Sequence, residues 1–174
     1  AGPGSDVQPS WSPDGTMLAF RSDREERGTW QVYLLGPLGE ARKLSDFPGG
    51  VSNIAWSPDG GRIAAVVRDA KPERAEGADH LLYEDEPRYE RVWLIDVTSG
   101  AARQVTTADE QIWEFCWSPD GTALAAIASA RPERWSWYRS RLVCIDLADG
   151  TVTTLHTPDR QLARPSWSPD AKQI

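Results

Sequence analysis

The chain has 174 residues, 40% of them hydrophobic and 26% charged, with a formal net charge of -7. That apolar fraction can fill one ordinary core, which sets disorder aside, and the interspersed charges form no basic stripe able to displace counterions from a phosphate backbone, which argues against a nucleic-acid partner. No apolar run approaches the ~18 residues of a membrane-spanning helix, and no basic-then-apolar leader opens the sequence.

The first predicted strand places Val7, Pro9 and Trp11 on one face and runs into the pentapeptide WSPDG at 11–15. There Pro13 presets the first turn dihedral, Asp14 suits the second, and Gly15 supplies the positive φ with which a type I turn closes a hairpin through a bulge. A second strand follows, with Leu18 and Phe20 on one face and Ala19 on the other. A third (Trp30 to Leu35), a glycine-containing turn at 36–39 and a short fourth (Arg42 to Ser45) complete a unit spanning 7–45.

The pattern then restarts. WSPDG returns at 56–60 and 117–121 and, with Ala171 in place of glycine, at 167–171, so the tryptophans are spaced by 45, 61 and 50 residues. The second unit, 51–106, places Ser52, Ile54 and Trp56 on one face of its first strand, then Ile63, Ala65 and Val67 on the next. Its third and fourth strands are Val92 to Val97 and Arg103 to Thr106, and an insertion from Asp69 to Glu90 lengthens it. The third unit, 112–156, repeats the scheme with Trp113, Phe115 and Trp117, then Leu124, Ala126 and Ala128, then Leu142 to Leu147 and Val152 to His156. A further strand at 163–168 opens a fourth unit.

Four antiparallel strands per unit, repeated around an axis, predict an all-β fold: a partial β-propeller of three four-stranded blades plus the first strand of a fourth. Ala19, Ala64 and Ala125, each eight residues after its tryptophan, keep one face of each sheet thin, as sheets packed on both sides require. Three blades make an open arc with bare edges. The expectation is therefore a piece of a larger propeller, or a segment that associates with its own copies.

The stretches PSWSPDGTMLAFRSDR, IAWSPDGGRIAAVV and FCWSPDGTALAAIA resemble the WSPDG-type repeat shared by TolB and by the N-terminal propeller of prolyl oligopeptidase-family serine peptidases, which include dipeptidyl and acylaminoacyl peptidases. RYERVWLIDVTSGAARQVTT and QIWEFCWSPDG are more similar to the peptidase propellers. The peptidase resemblance implies a cytoplasmic propeller seated over a C-terminal α/β-hydrolase domain, filtering access of peptide substrate. The TolB resemblance implies instead a periplasmic interaction propeller with a protein partner and no hydrolase.

A hydrolase of that class needs a GxSxG elbow that raises its serine on a strained turn within reach of a base. No GxSxG occurs, so no residue is assigned a catalytic role. The two histidines are His80, in the insertion, and His156, at the end of an outer strand; no metal-ligand pattern surrounds them, and no cofactor is implied.

The insertion holds eight acids against three bases, and two readings stand for it. One is a solvated surface loop. In the other, Glu84, Asp85 and Glu86 bind substrate: YEDEP resembles the YEE-type segment with which dipeptidyl peptidase propellers hold a substrate's amino terminus, although its place in the repeat differs. Paired carboxylates in a partly dry cavity attract an ammonium strongly.

The matching loop of the third unit, Ser129 to Arg139, interleaves Trp135, Trp137 and Tyr138 with Arg131, Arg134 and Arg139. Aromatic and arginine side chains are enriched at binding hot spots, which makes Trp135, Trp137 and Arg139 candidate substrate contacts. Alternatively, the two loops emerge side by side on one rim, pair with each other and cover a blade edge. Cys116 and Cys144 fall on the first and third strands of one blade, two spacings of ~4.8 Å apart, and are expected as free thiols.

Overall fold

A computed structural model describes residues 4–71, 87–107 and 109–174. Within them lie three separate four-stranded antiparallel sheets, each in simple sequence order. The first unit comprises β1 (Asp6–Trp11), β2 (Leu18–Ser22), β3 (Gln31–Leu35) and β4 (Ala41–Lys43). The second comprises β5 (Val51–Trp56), β6 (Arg62–Arg68), β7 (Glu90–Asp96) and β8 (Ala102–Gln104); the third, β9 (Gln111–Trp117), β10 (Ala123–Ser129), β11 (Arg141–Asp146) and β12 (Val152–His156). This is the partial propeller that the repeats predict.

Each WSPDG turn closes through one repeated network. The serine hydroxyl donates to the aspartate Oδ1 at 2.6, 2.5, 2.6 and 2.7 Å in the four copies. It accepts, at 2.9 to 3.0 Å, the backbone N–H of the residue five positions on: Met17, Arg62, Ala123 or Gln173. The same Oδ1 takes the N–H two residues after the aspartate. These bonds, the serine's first and the backbone's second, hold the carboxyls of Asp14, Asp59, Asp120 and Asp170 below their ordinary value of 3.8. Gly60 adopts φ 71°, and Ala171 follows at φ 57°, so the fourth turn forms despite the roughly 1–2 kcal/mol that a Cβ costs there.

The tryptophan seals the seam to the preceding unit. Trp56 Nε1 donates to the Ser10 carbonyl at 2.9 Å, and Trp117 Nε1 to the Ala55 carbonyl at 3.1 Å; in both, the acceptor is the residue just before the previous unit's tryptophan. A buried indole with its N–H satisfied is a large apolar contribution without a polar penalty.

Around these rings lie two cores. Ala19, Val32 and Leu34 of the first unit meet Ile63, Ala65 and Val67 of the second; Ala64, Val66 and Leu94 on the second unit's other face meet Leu124, Ala126 and Val143 of the third. The middle sheet is thus buried on both sides, and its alanines let the sheets approach. Each fully buried aliphatic side chain contributes about 1.5–3 kcal/mol.

Three local expectations change. The inner strands β1, β5 and β9 are bulged, with Ser52 and Trp113 as extra residues opposite β6 and β10. The period-two face therefore ends at Ile54 and Phe115. Buried Val51 and Ile112 fill the seam below them, while Ser52 and Trp113 leave the expected face. The fourth strands of the first two units are shorter than predicted, because the Ser45 and Thr106 hydroxyls, rather than ladder carbonyls, accept the Val32 and Val92 N–H groups. Residues 163–168 form no strand ladder among the described residues. The Arg164 N–H nevertheless donates to the Glu114 carboxylate, which sets this segment beside β9 where a fourth unit opens.

Cys116 and Cys144 both sit opposite Ala125, one on either side of β10, and both are free thiols. Burial pushes both up from the ordinary thiol value. Among the described residues no helix is long and apolar enough to cross a membrane.

Candidate functional site

Alternating strand directions send the WSPDG turns to one rim and the β2–β3, β6–β7 and β10–β11 connections to the other. On this second rim the acidic and aromatic loops are neighbours at their stems, where the Tyr89 hydroxyl donates to the Ala130 carbonyl at 3.3 Å. The base of the insertion is pinned by Arg91, whose Nε and Nη2 take both oxygens of Asp69 at 2.8 and 3.1 Å. Glu84, Asp85 and Glu86, like His80, lie outside the described residues.

The β10–β11 connection contains a short 3-10 helix, Arg134–Arg139. Ser136, buried beneath it, donates to the Glu133 carbonyl at 2.7 Å and meets the Ser129 hydroxyl at 2.9 Å, tying the helix to the end of β10. With its polar anchor inside, the helix turns its rings outward: Trp135 is 55% exposed and Tyr138 66%.

Between this helix and β9 lies a cleft of about 610 Å³, lined by Trp113, Glu114, Arg134, Trp135, Trp137 and Tyr138. The Trp113 and Trp137 rings are 6.4 Å apart and those of Trp137 and Tyr138 6.3 Å, a continuous aromatic wall with one acid and one base on it. Trp113 is held by a 2.9 Å bond from its Nε1 to the Ser129 hydroxyl. Such a cleft can take an apolar side chain and orient it through its two charges. Trp135 and Trp137 thus both line this one cleft. Arg139, at the end of the helix, is exposed and does not line the cleft.

The sequence pattern put Trp113 on the same strand face as Phe115 and Trp117 rather than in a cleft, and did not single out Glu114. Trp113 is the bulge residue of β9, and a bulge re-aims its side chain away from the alternating pattern. Glu114 stands three residues before its tryptophan, as do Gln8, Asn53 and Arg164, so every repeat puts a polar or charged residue there. These meet across the units: Gln8 Nε2 donates to Asn53 Oδ1, and the Arg164 N–H to Glu114 Oε2. Aligning the four copies three residues upstream of WSPDG would have revealed that position.

No family model matches the chain. It is 34% identical over 143 residues to an uncharacterized peptidase, YuxL, of Bacillus subtilis; the match covers 71% of this chain and 22% of that protein. Among solved structures, a putative TolB from Agrobacterium tumefaciens superposes with a TM-score of 0.68 at 20% identity, over 96% of this chain and 57% of the other. An acylaminoacyl peptidase superposes with a TM-score of 0.62 at 18% identity, over 88% and 25%. The chain therefore spans about a fifth of the curated relative's length. It is a partial propeller of WSPDG-type repeats, similar to those of TolB and of prolyl oligopeptidase-family peptidases.

Proposed function

We propose that the chain is a non-catalytic propeller portion of a prolyl oligopeptidase-family serine peptidase, cytoplasmic, acting as scaffold and access filter for peptides bound for a separate hydrolase domain. The observation that carries this reading is the 34% identity to a peptidase over most of the chain, beside a sequence with no GxSxG elbow. The aromatic cleft, on the rim opposite the WSPDG turns, is where a peptide side chain would pause. Trp135 and Trp137 supply its apolar surface, and Glu114 and Arg134 its polarity. Without further units covering its outer faces, the 174-residue chain self-associates.

A fluorophosphonate probe tests this reading: it labels a full-length protein carrying this propeller and leaves the 174-residue chain unlabelled. In the full-length protein, Trp135→Ala raises KM for peptides with large apolar side chains several-fold and leaves kcat within twofold. A full-length protein that takes no label would overturn the proposal.

One observation favours a second reading. The chain covers more of the TolB-like structure than of the peptidase, and with the higher TM-score, as a protein-binding propeller without a hydrolase would.

A further inference from the structure

A second cavity on the same rim, about 290 Å³, lies at the seam of the first and second units. Among the described residues, two guanidinium groups, Arg21 from β2 and Arg68 from the end of β6, line it together with one carboxylate, Glu90. The balance there is one net positive charge, in a chain whose overall charge is -7.

Arg21 is half-buried and held in place. Its Nε donates to Gln8 Oε1 at 2.9 Å, its Nη1 to the Val51 carbonyl at 2.8 Å, and its guanidinium lies 5.6 Å from the Trp30 ring centre. Those bonds engage two of its five N–H groups. Burial lowers its affinity for its proton, and Glu90 offsets this in part. Arg68 Nη2 meets Glu90 Oε1 at 3.1 Å, and the other Glu90 oxygen accepts from Gln111 Nε2 at 3.0 Å. Asp69, next in sequence to Arg68, is already occupied by Arg91 and adds no free negative charge. Gly49 and Gly50 form part of the wall, and both pack closely on backbone: a Cβ on Gly49 would stand 1.8 Å from the Arg68 carbonyl oxygen and one on Gly50 3.2 Å from the Trp30 nitrogen.

We infer that this pocket binds a carboxylate, that of a peptide or small organic acid, with Arg21 as the fixed fork, Arg68 as the second cation and the Trp30 ring as an apolar shelf. A planar guanidinium matches a carboxylate bidentately, and the arginine here is pre-ordered by its other bonds. One net positive charge suits a monoanion. A phosphate dianion would face Glu90 with a charge too many. The inference stands apart from the peptidase reading, because binding to the 174-residue chain needs no hydrolase.

Titration calorimetry on that chain with N-acetyl-dialanine and with its C-terminal amide tests it. The acid binds at least tenfold more tightly than the amide. Arg68→Gln, at a half-exposed position whose fold is checked by thermal melting, removes that preference, and Glu90→Gln strengthens it several-fold. N-acetylglutamate amide shows whether a side-chain carboxylate serves as well as a terminal one; either source supports the assignment. Equal binding of acid and amide, a preference that survives Arg68→Gln, or inorganic phosphate binding more tightly than the acid would each overturn it.

Discussion

Trp11 and Trp56 hold the same place in the same pentapeptide, yet Trp11 is 64% exposed and Trp56 8%. Trp56 lies across the seam to the first unit, its indole donating to Ser10; among the described residues no unit lies against the corresponding side of Trp11. The far end differs in the same way. Leu155 on β12 is 48% exposed, whereas Leu44 and Val105, near the ends of the first two units, are buried in the cores they share with the following unit. WSPDG thus encodes a complete hairpin but only half a seam. Four copies of five letters fold the turn four times locally, and each tryptophan contributes fully only where another unit precedes it.

The largest test of that contrast is truncation of the two tryptophans. Trp56→Ala should cost about 3–5 kcal/mol, as emptying a large buried site does, while Trp11→Ala should cost less than about 1 kcal/mol. Chemical denaturation of the two variants measures both, and similar losses would break the comparison.

Glycines on the hairpins of the WSPDG rim sharpen it. Gly39 and Gly150 both adopt positive φ, but a Cβ on Gly39 meets open space, whereas one on Gly150 would stand 2.2 Å from the Val105 carbonyl of the preceding unit. Gly39→Ala should cost about 1 kcal/mol of backbone strain alone, and Gly150→Ala at least about twice that, because the clash is with backbone. Equal shifts in melting temperature would mean that the third unit does not press on the second.

The smallest effect belongs to the turns themselves. The folded pKa of Asp59 is depressed, so its stabilisation is present above the ordinary value of 3.8 and is lost as pH falls through the folded value. Ser57→Ala removes the leading cause of that depression. The variant should lose about 0.5 kcal/mol near neutral pH, after discounting for solvent screening, and the difference from the parent should shrink below pH 4. Melting curves from pH 7 down to 2.5 check the sign; a difference that grows in acid would contradict it.

How much of this was legible beforehand follows from which interactions are local. Pro13, Asp14 and Gly15 fix their turn within a few residues, so the repeat, the hairpins and the all-β class could be read directly. Alternation placed Ile63, Ala65 and Val67 on one side and Ala64 on the other, and the cores confirm both faces. The bulges were invisible to a period-two reading. One extra residue in β9 takes Trp113 off the seam, which is why the sequence offered candidate contacts from the loop, Trp135 and Trp137, and none from the strand, whose Trp113 and Glu114 line the same cleft. The indole bonds were hidden for another reason: their acceptors are carbonyls of a different repeat, which carry no sequence signature. Likewise, 163–168 has the letters of an opening strand, but a ladder needs a partner strand.

The central claim, that Trp56 and Trp117 close the seams to the units before them, is tested most directly by indole N–H exchange in nuclear magnetic resonance spectra of the 174-residue chain at low concentration. The Trp56 and Trp117 indole protons should be protected by several orders of magnitude, and that of Trp11 should exchange almost as fast as free tryptophan. Fast exchange at Trp56 and Trp117, or equal protection at all three, would contradict the account.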